Sequence, residues 1–232
     1  MIVYCSSDWH SSPHELSKSA KEFIDKAKVD ADLIVGNGDL FDLMEYDWKK
    51  FVDCKAIQEL KERLEGKEFV YVAGNHDPEK YVRKIIAGPN IQVKRREFEV
   101  TLMGRTYHFT HGHRWAIDWS WLRKFSDILI VVVPPLYHRW LKWQNRVSPR
   151  KLKEKEEIEK YNRKTGLIHS AASKLAEQKD KVVIVGHTHK PWFAGDWESS
   201  LMYDDGDMLD SRTYLRIEGD KVERLCLDDI RG

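Results

Sequence analysis

Five short apolar runs in this 232-residue chain each end in a polar turn that carries a carboxylate, an amide or an imidazole. Residues 2–5 lead to Asp8-Trp9-His10, residues 33–35 to Gly36-Asn37-Gly38-Asp39, and residues 69–72 to Gly74-Asn75-His76-Asp77. Residues 107–110 lead to His111-Gly112-His113, and residues 182–185 to Gly186-His187-Thr188-His189. Short apolar runs bounded by turn residues read as buried strands. Alternating with helices, such strands build a mainly parallel sheet. A parallel sheet gathers the C-terminal ends of its strands along one edge, where α/β proteins place their chemistry. The pattern therefore confines the fold to α/β and the candidate site to one sheet edge.

The segments between the runs supply the helices. Leu16, Ala20, Phe23, Ile24 and Ala27 recur at helical spacing over residues 15–27. Trp48, Phe51, Val52, Ile57, Leu60 and Leu64 predict a second amphipathic helix that ends before Gly66. Pro78 suits the first turn of a short third helix. Residues 97–110 read as a hairpin, with Phe98, Val100 and Leu102 alternating and Gly104 near the turn. Residues 213–217 and 222–227 alternate around Gly219-Asp220, a second hairpin.

Apolar residues make up 41% of the chain, enough for one large domain with room for an insertion. The net charge of +1 excludes a chain that acts as a polyelectrolyte throughout. Residues 114–179 stand apart, with 15 Lys/Arg against 7 Asp/Glu, a local charge of +8 that leaves −7 on the remainder. They hold Trp115, Trp119, Trp121, Trp140 and Trp143, five of the nine tryptophans. We read 114–179 as a basic helical insertion, broken at Pro134-Pro135 and near Ser148-Pro149, in a core made of 1–113 and 180–232. Its stretch 150–164, dense in Lys and Glu, reads as a solvated helix. Cations facing one way and Trp, Leu and Ile the other suit a lid over a phosphorylated or amphiphilic substrate, or peripheral contact with the inner membrane surface. Plain packing is the alternative. The longest apolar run, 128–133, is shorter than the ~20 residues that a membrane-spanning helix needs. The three cysteines, Cys5, Cys54 and Cys226, are odd in number and form no CxxC pair, and residues 1–5 have the wrong flanks for a signal peptide. The expected location is therefore cytoplasmic. Basic residues concentrate in the insertion, so nucleic acid is not an expected partner. The oligomeric state is left open.

The candidate ligands repeat a spacing. Asp8 and His10 are two apart, which in an extended segment points both side chains the same way, and His187 and His189 repeat this behind a glycine. With Asp39, Asn75 and His111 they form a set suited to manganese first, and to iron or zinc as alternatives. Imidazoles disfavour magnesium and calcium, and the lack of cysteine among them argues against structural zinc. Two ions ~3.5–4 Å apart need a shared anion, a role that fits Asp39. Each residue also has a plainer reading. Asp39 and Asn75 are good turn formers, and Asp77 suits a helix cap. Asp42 suits either a helix cap or a carboxylate behind a ligand histidine. His76, beside Asn75, is the candidate catalytic general acid. His113 divides between phosphate contact and packing. His14, His108, His138 and His169 carry no motif.

Taken together, Asp8-Trp9-His10, Gly38-Asp39, Gly74-Asn75-His76-Asp77, His111-Gly112-His113 and Gly186-His187-Thr188-His189 resemble the calcineurin-like metallophosphoesterases, in that family's order. The resemblance implies a double β-sheet sandwich flanked by helices. It implies one divalent ion held by Asp8, His10, Asp39 and His189, and another by Asp39, Asn75, His111 and His187. A hydroxide between them would attack phosphorus. Within the family, the insertion and the segment 206–209 resemble the UDP-2,3-diacylglucosamine pyrophosphohydrolases. That branch typically has arginine where His76 stands and aspartate where His113 stands. The expected activity is hydrolysis of a nucleotide- or lipid-linked diphosphate or phosphodiester. The alternatives are a broad-specificity soluble phosphodiesterase or phosphomonoesterase, or a nuclease.

Overall fold

The computed structural model describes residues 1–86, 88–116 and 150–229. The apolar run 128–133, the proline breaks, His138 and the tryptophans at 119, 121, 140 and 143 lie outside the described residues. The chain opens with β1 (Ile2–Ser6), α1 (Lys18–Asp30), β2 (Leu33–Gly36), α2 (Lys55–Arg63), β3 (Glu68–Val72), α3 (Glu79–Ile85) and β4 (Ile91–Lys94). The strands β1 to β4 pair in parallel. There follow β5 (Phe98–Leu102), β6 (Arg105–Thr110), α4 (Arg150–Lys179), β7 (Val182–Val185), β8 (Trp192–Phe193) and β9 (Met202–Asp204). These strands form a second sheet of order β5-β6-β7-β9-β8. Finally β10 (Thr213–Glu218) and β11 (Lys221–Cys226) return to the first sheet, whose order is β11-β10-β1-β2-β3-β4.

The alternation of side chains along each strand builds the layers. In β1, Val3 and Cys5 join Val35, Val70 and Val72 of the first sheet and Phe109, Val182 and Ile184 of the second in the core between the sheets. Tyr4 points the other way, onto Phe23 of α1. In β7, Val183 and Val185 face outward, onto Ile168, Ala172 and Ala176 of α4. Those three residues fall four apart, one face of a helix. The result is helix, sheet, sheet, helix. Each fully buried Phe, Ile, Leu or Val contributes about 1.5–3 kcal/mol to holding it together.

The second amphipathic helix is interrupted. A single 3₁₀ turn covers Trp48–Lys50, and α2 begins only at Lys55. Between them Asp53 adopts a left-handed conformation, φ 54°, which a continuous helix does not admit. Two short strands, β8 and β9, and the edge strand β4 were not legible as separate elements. They are two to four residues long and too short to display a period. No helix among the described residues is long and apolar enough to cross a membrane.

Candidate metal centre

The parallel neighbours β1, β2 and β3, and the parallel pair β6 and β7, all run toward the same edge. Just beyond their ends lie Asp8, His10, Asp39, Asn75, His111, His187 and His189. The loops after β1 and β2 stay paired. Asp8 N–H donates to the Gly38 carbonyl at 2.9 Å, His10 N–H to the Asp39 carbonyl at 3.0 Å, and Ser11 N–H to the Leu40 carbonyl at 2.9 Å. Asp8, His10, Asp39, His187 and His189 all have positive φ, between 45° and 71°. Such conformations cost of order 1–3 kcal/mol each for a residue with a side chain, and they gather where a structure holds groups for use.

Two clusters result. Asp8, His10 and His189 bring one ligand atom each within 4.8 Å of one another, and so do Asp39, His111 and His187. In the first, His189 Nε2 lies 3.3 Å and His10 Nε2 3.7 Å from Asp8 Oδ1. In the second, His111 Nε2 lies 3.1 Å from Asp39 Oδ2, and the His111 and His187 ring centroids are 5.0 Å apart. The far nitrogens are tied down. His111 Nδ1 is 2.9 Å from the Asn37 carbonyl and His189 Nδ1 is 2.9 Å from Asp207 Oδ2. Each bond fixes its ring so that Nε2 faces the carboxylates.

Among the described residues Asp8 Oδ1, His10 Nε2, Asn75 Oδ1, His111 Nε2 and His187 Nδ1 are all buried without a well-formed hydrogen bond, Asp8, His10 and His111 having only the close imidazole–carboxylate contacts. Buried polar atoms without partners are rare. Five of them, brought by the four loops after β1, β3, β6 and β7, make a donor set of carboxylate, amide and imidazole that fits divalent cations. The electrostatics agree. Burial pulls His111 down, but the Asp39 and Asp8 carboxylates outweigh it and hold its pKa up at about 10. Burial raises Asp8 and Asp39, yet the facing histidines, His111 first, hold both below the usual carboxylate range. Burial, and then the charge of His111, push His187 down to about 3.

His76 lies on the rim, its side chain 28% exposed. Its N–H donates to Asp39 Oδ1 at 2.8 Å, and its Nδ1 is 3.0 Å from Asp42 Oδ1. Its ring centroid is 4.6 Å from that of His10. His10, Asp42 and His76 form a third grouping of candidate ligand atoms among the described residues. Asp42 thus holds His76 rather than one of the seven candidate ligands, and it also accepts the Glu45 N–H.

Asp77 does not cap α3. The N-cap is Pro78, without a side-chain bond. The fully buried Asp77 carboxylate accepts from Asp39 N–H at 3.1 Å, Phe41 N–H at 2.9 Å and Gly74 N–H at 3.1 Å, locking two ligand loops together. Asp204, Asp205 and Asp207, all fully buried, were absent from the sequence-derived site. The signal available was the acidic run 204–207 itself, four residues with three carboxyls. His113 stacks at an angle 5.5 Å from His111. Of the histidines without a motif, His14 lies edge-on to Tyr46, and His108 reaches Glu99 at 2.7 Å. His169 reaches Asp204 at 2.9 Å.

The family model for calcineurin-like phosphoesterases matches residues 1–191. Among curated proteins, none matches the chain in sequence. Similar solved structures include Vps29 from Entamoeba histolytica complexed with zinc, at 13% identity and TM-score 0.45, covering 98% of this chain and 100% of that one. Vps29 from Cryptosporidium parvum is 12% identical with TM-score 0.44, covering 97% and 95%. A Thermotoga maritima protein solved in solution is 19% identical with TM-score 0.42, covering 97% and 96%.

Proposed function

The chain belongs to the calcineurin-like phosphoesterases, metal-dependent hydrolases of phosphate esters, and from that premise we propose that it uses two divalent ions sharing Asp39. The observation that carries this reading is the pair of clusters at Asp8 and Asp39, whose buried ligand atoms lack well-formed hydrogen bonds among the described residues. Asp8, His10, Asp39 and His189 would hold one ion, and Asp39, Asn75, His111 and His187 the other, with manganese the first choice. When bound, the ions would polarise the phosphoryl oxygens and supply hydroxide near neutral pH.

The chain's own groups do the rest. Asp42 orients His76 through Nδ1, leaving Nε2 to give a proton to the leaving oxygen. Asp77 and the Asn37 carbonyl keep the ligand loops in register, so little rearrangement is needed on binding.

For substrate we propose a nucleotide- or lipid-linked diphosphate, gripped by the basic, Trp-rich segment 114–179. The support is compositional: +8 and five tryptophans set between two ligand blocks. Each acyl methylene buried would add about 0.8 kcal/mol. The test is a phosphoester panel with added manganese that includes nucleotide alkyl-diphosphates of rising chain length. Catalytic efficiency that climbs with chain length supports the reading. Efficiency indifferent to chain length, with good turnover of simple diesters, replaces it with a soluble phosphodiesterase.

A further inference from the structure

Ser7, in the turn after β1, is fully buried. Its Oγ lies 2.6 Å from Asp8 Oδ2 and 2.6 Å from Asp205 Oδ1, with the Gly206 carbonyl farther off at 3.2 Å. A serine hydroxyl carries one hydrogen. Were both carboxyls ionised, one of the two 2.6 Å contacts would set oxygen against oxygen with nothing between them, in a site without water's screening. One of the carboxyls therefore supplies the second proton.

The neighbours decide which. Asp8 Oδ2 also accepts the His187 N–H at 2.9 Å, and Asp8 Oδ1 faces His189 and His10. That is a setting for an anion. Among the described residues the Asp205 carboxyl hydrogen-bonds only neutral groups: Ser7 at Oδ1 and, at its remaining oxygen Oδ2, the Cys5 thiol at 3.3 Å. Its neighbour Asp204 is better supplied, with Thr188 Oγ1 at 2.6 Å, His169 Nε2 at 2.9 Å and the Gly206 N–H at 3.1 Å. Of two adjacent buried carboxyls, Asp204 therefore has the fuller set of hydrogen-bond partners. Burial pushes both carboxyls well above the usual carboxylate range, with the neighbouring Asp204 adding to the push on Asp205, and burial keeps the Cys5 thiol protonated.

We propose that Asp205 is a neutral carboxylic acid that donates to Ser7 Oγ, so that Ser7 donates to Asp8 Oδ2 and aims Asp8 Oδ1 into the metal centre. Every hydrogen then has one place. Cys5 Sγ–H donates to Asp205 Oδ2, Asp205 Oδ1–H to Ser7 Oγ, and Ser7 Oγ–H to Asp8 Oδ2. Asp205 is a positioning residue, acting through Ser7. The arrangement also accounts for Gly186. A Cβ there would sit 2.3 Å from Ser7 Oγ, 2.7 Å from Ser7 Cβ and 3.2 Å from Asp205 Oδ1, so only glycine lets the end of β7 close over the pair. The consequence for metal binding rests on the reading of Asp8 as a ligand; the proton on Asp205 does not.

Two readouts on manganese-loaded protein test this. The first is infrared spectroscopy of protein carrying isotope-labelled aspartate, near neutral pH. A protonated-carboxyl band is expected in the wild type and lost in Asp205→Asn. Absence of any band that Asp205→Asn removes means that Asp205 is ionised, and overturns the proposal. The second is manganese retention against a chelator. Asp205→Asn, whose amide also donates to Ser7, should retain the ions within a few-fold. Asp205→Val and Ser7→Ala should each weaken one ion by about 10–100-fold, as loss of a group behind a ligand does. If Asp205→Val does not fold, Ser7→Ala reads the same link. Wild-type retention in Ser7→Ala would sink the positioning role. A wild type that shows the band but binds no manganese would leave the proton in place and refute the two-ion reading instead.

Discussion

Gly38→Ala should dismantle the metal centre chiefly by displacing His111. Gly38 has φ +100°, and a Cβ there would lie 2.3 Å from His111 Nδ1, 2.4 Å from Cγ and 2.7 Å from Cβ. The ring has no room to retreat, because it is buried and its Nδ1 is held 2.9 Å from the Asn37 carbonyl. The backbone conformation costs about 1–3 kcal/mol for alanine, overpacking about 1–3 kcal/mol, and a broken His111–Asn37 bond about 0.5–1.5 kcal/mol. Together these approach the lower end of a domain's whole stability, about 5–15 kcal/mol. Gly66→Ala is the control. Its φ is +73°, but nothing lies within 4 Å of the added carbon, so it bears the backbone cost alone. Thermal melting and manganese content of both variants form the assay. Gly66→Ala should lose a few degrees, at about 2–4 °C per kcal/mol for a chain of this size, and keep its metal. Gly38→Ala should lose several-fold more and bind less than one ion. Identical melting and metal content in the two variants would refute the idea that the glycine exists to admit His111.

His76→Ala should leave metal content unchanged and slow release of alkoxide leaving groups about 10²–10⁴-fold, with far less effect on nitrophenolate, which hardly needs a proton; equal losses on both would remove His76 from the acid role. Gly166→Ala, in the interior of α4 with open space around the added carbon, should raise stability by about 0.5–1 kcal/mol, seen as a slightly higher melting temperature; a fall would show that the helix needs the glycine.

The sequence displayed the parts of this molecule that repeat at short range. Val182-Val183-Ile184-Val185 reads as a strand because both its faces are buried, and the candidate ligands behind it follow from chain direction alone. Asp8, His10, Asp39, Asn75, His111, His187 and His189 were each visible as a polar residue at a strand's end, and the fold brings them together at one edge. What the sequence hid was long-range. Asp77 looks like a cap because Pro78 follows it, yet its carboxylate closes onto backbone 36 to 38 residues away. Asp205 meets Ser7 across 198 residues. Nothing local distinguishes a buried acid from a solvated one until the neighbouring strands are in place. The broken second helix has the same origin: the apolar spacing from Trp48 to Leu64 suits one helix, but the turn at Asp53 starts it afresh.

The central claim, that one carboxylate serves two ions, is tested most directly by elemental analysis of manganese-saturated protein. The account predicts about two ions per chain in the wild type and fewer than one in Asp39→Ala, because both sites lose the same ligand. Saturation at a single ion in the wild type, or two ions retained in Asp39→Ala, would contradict it.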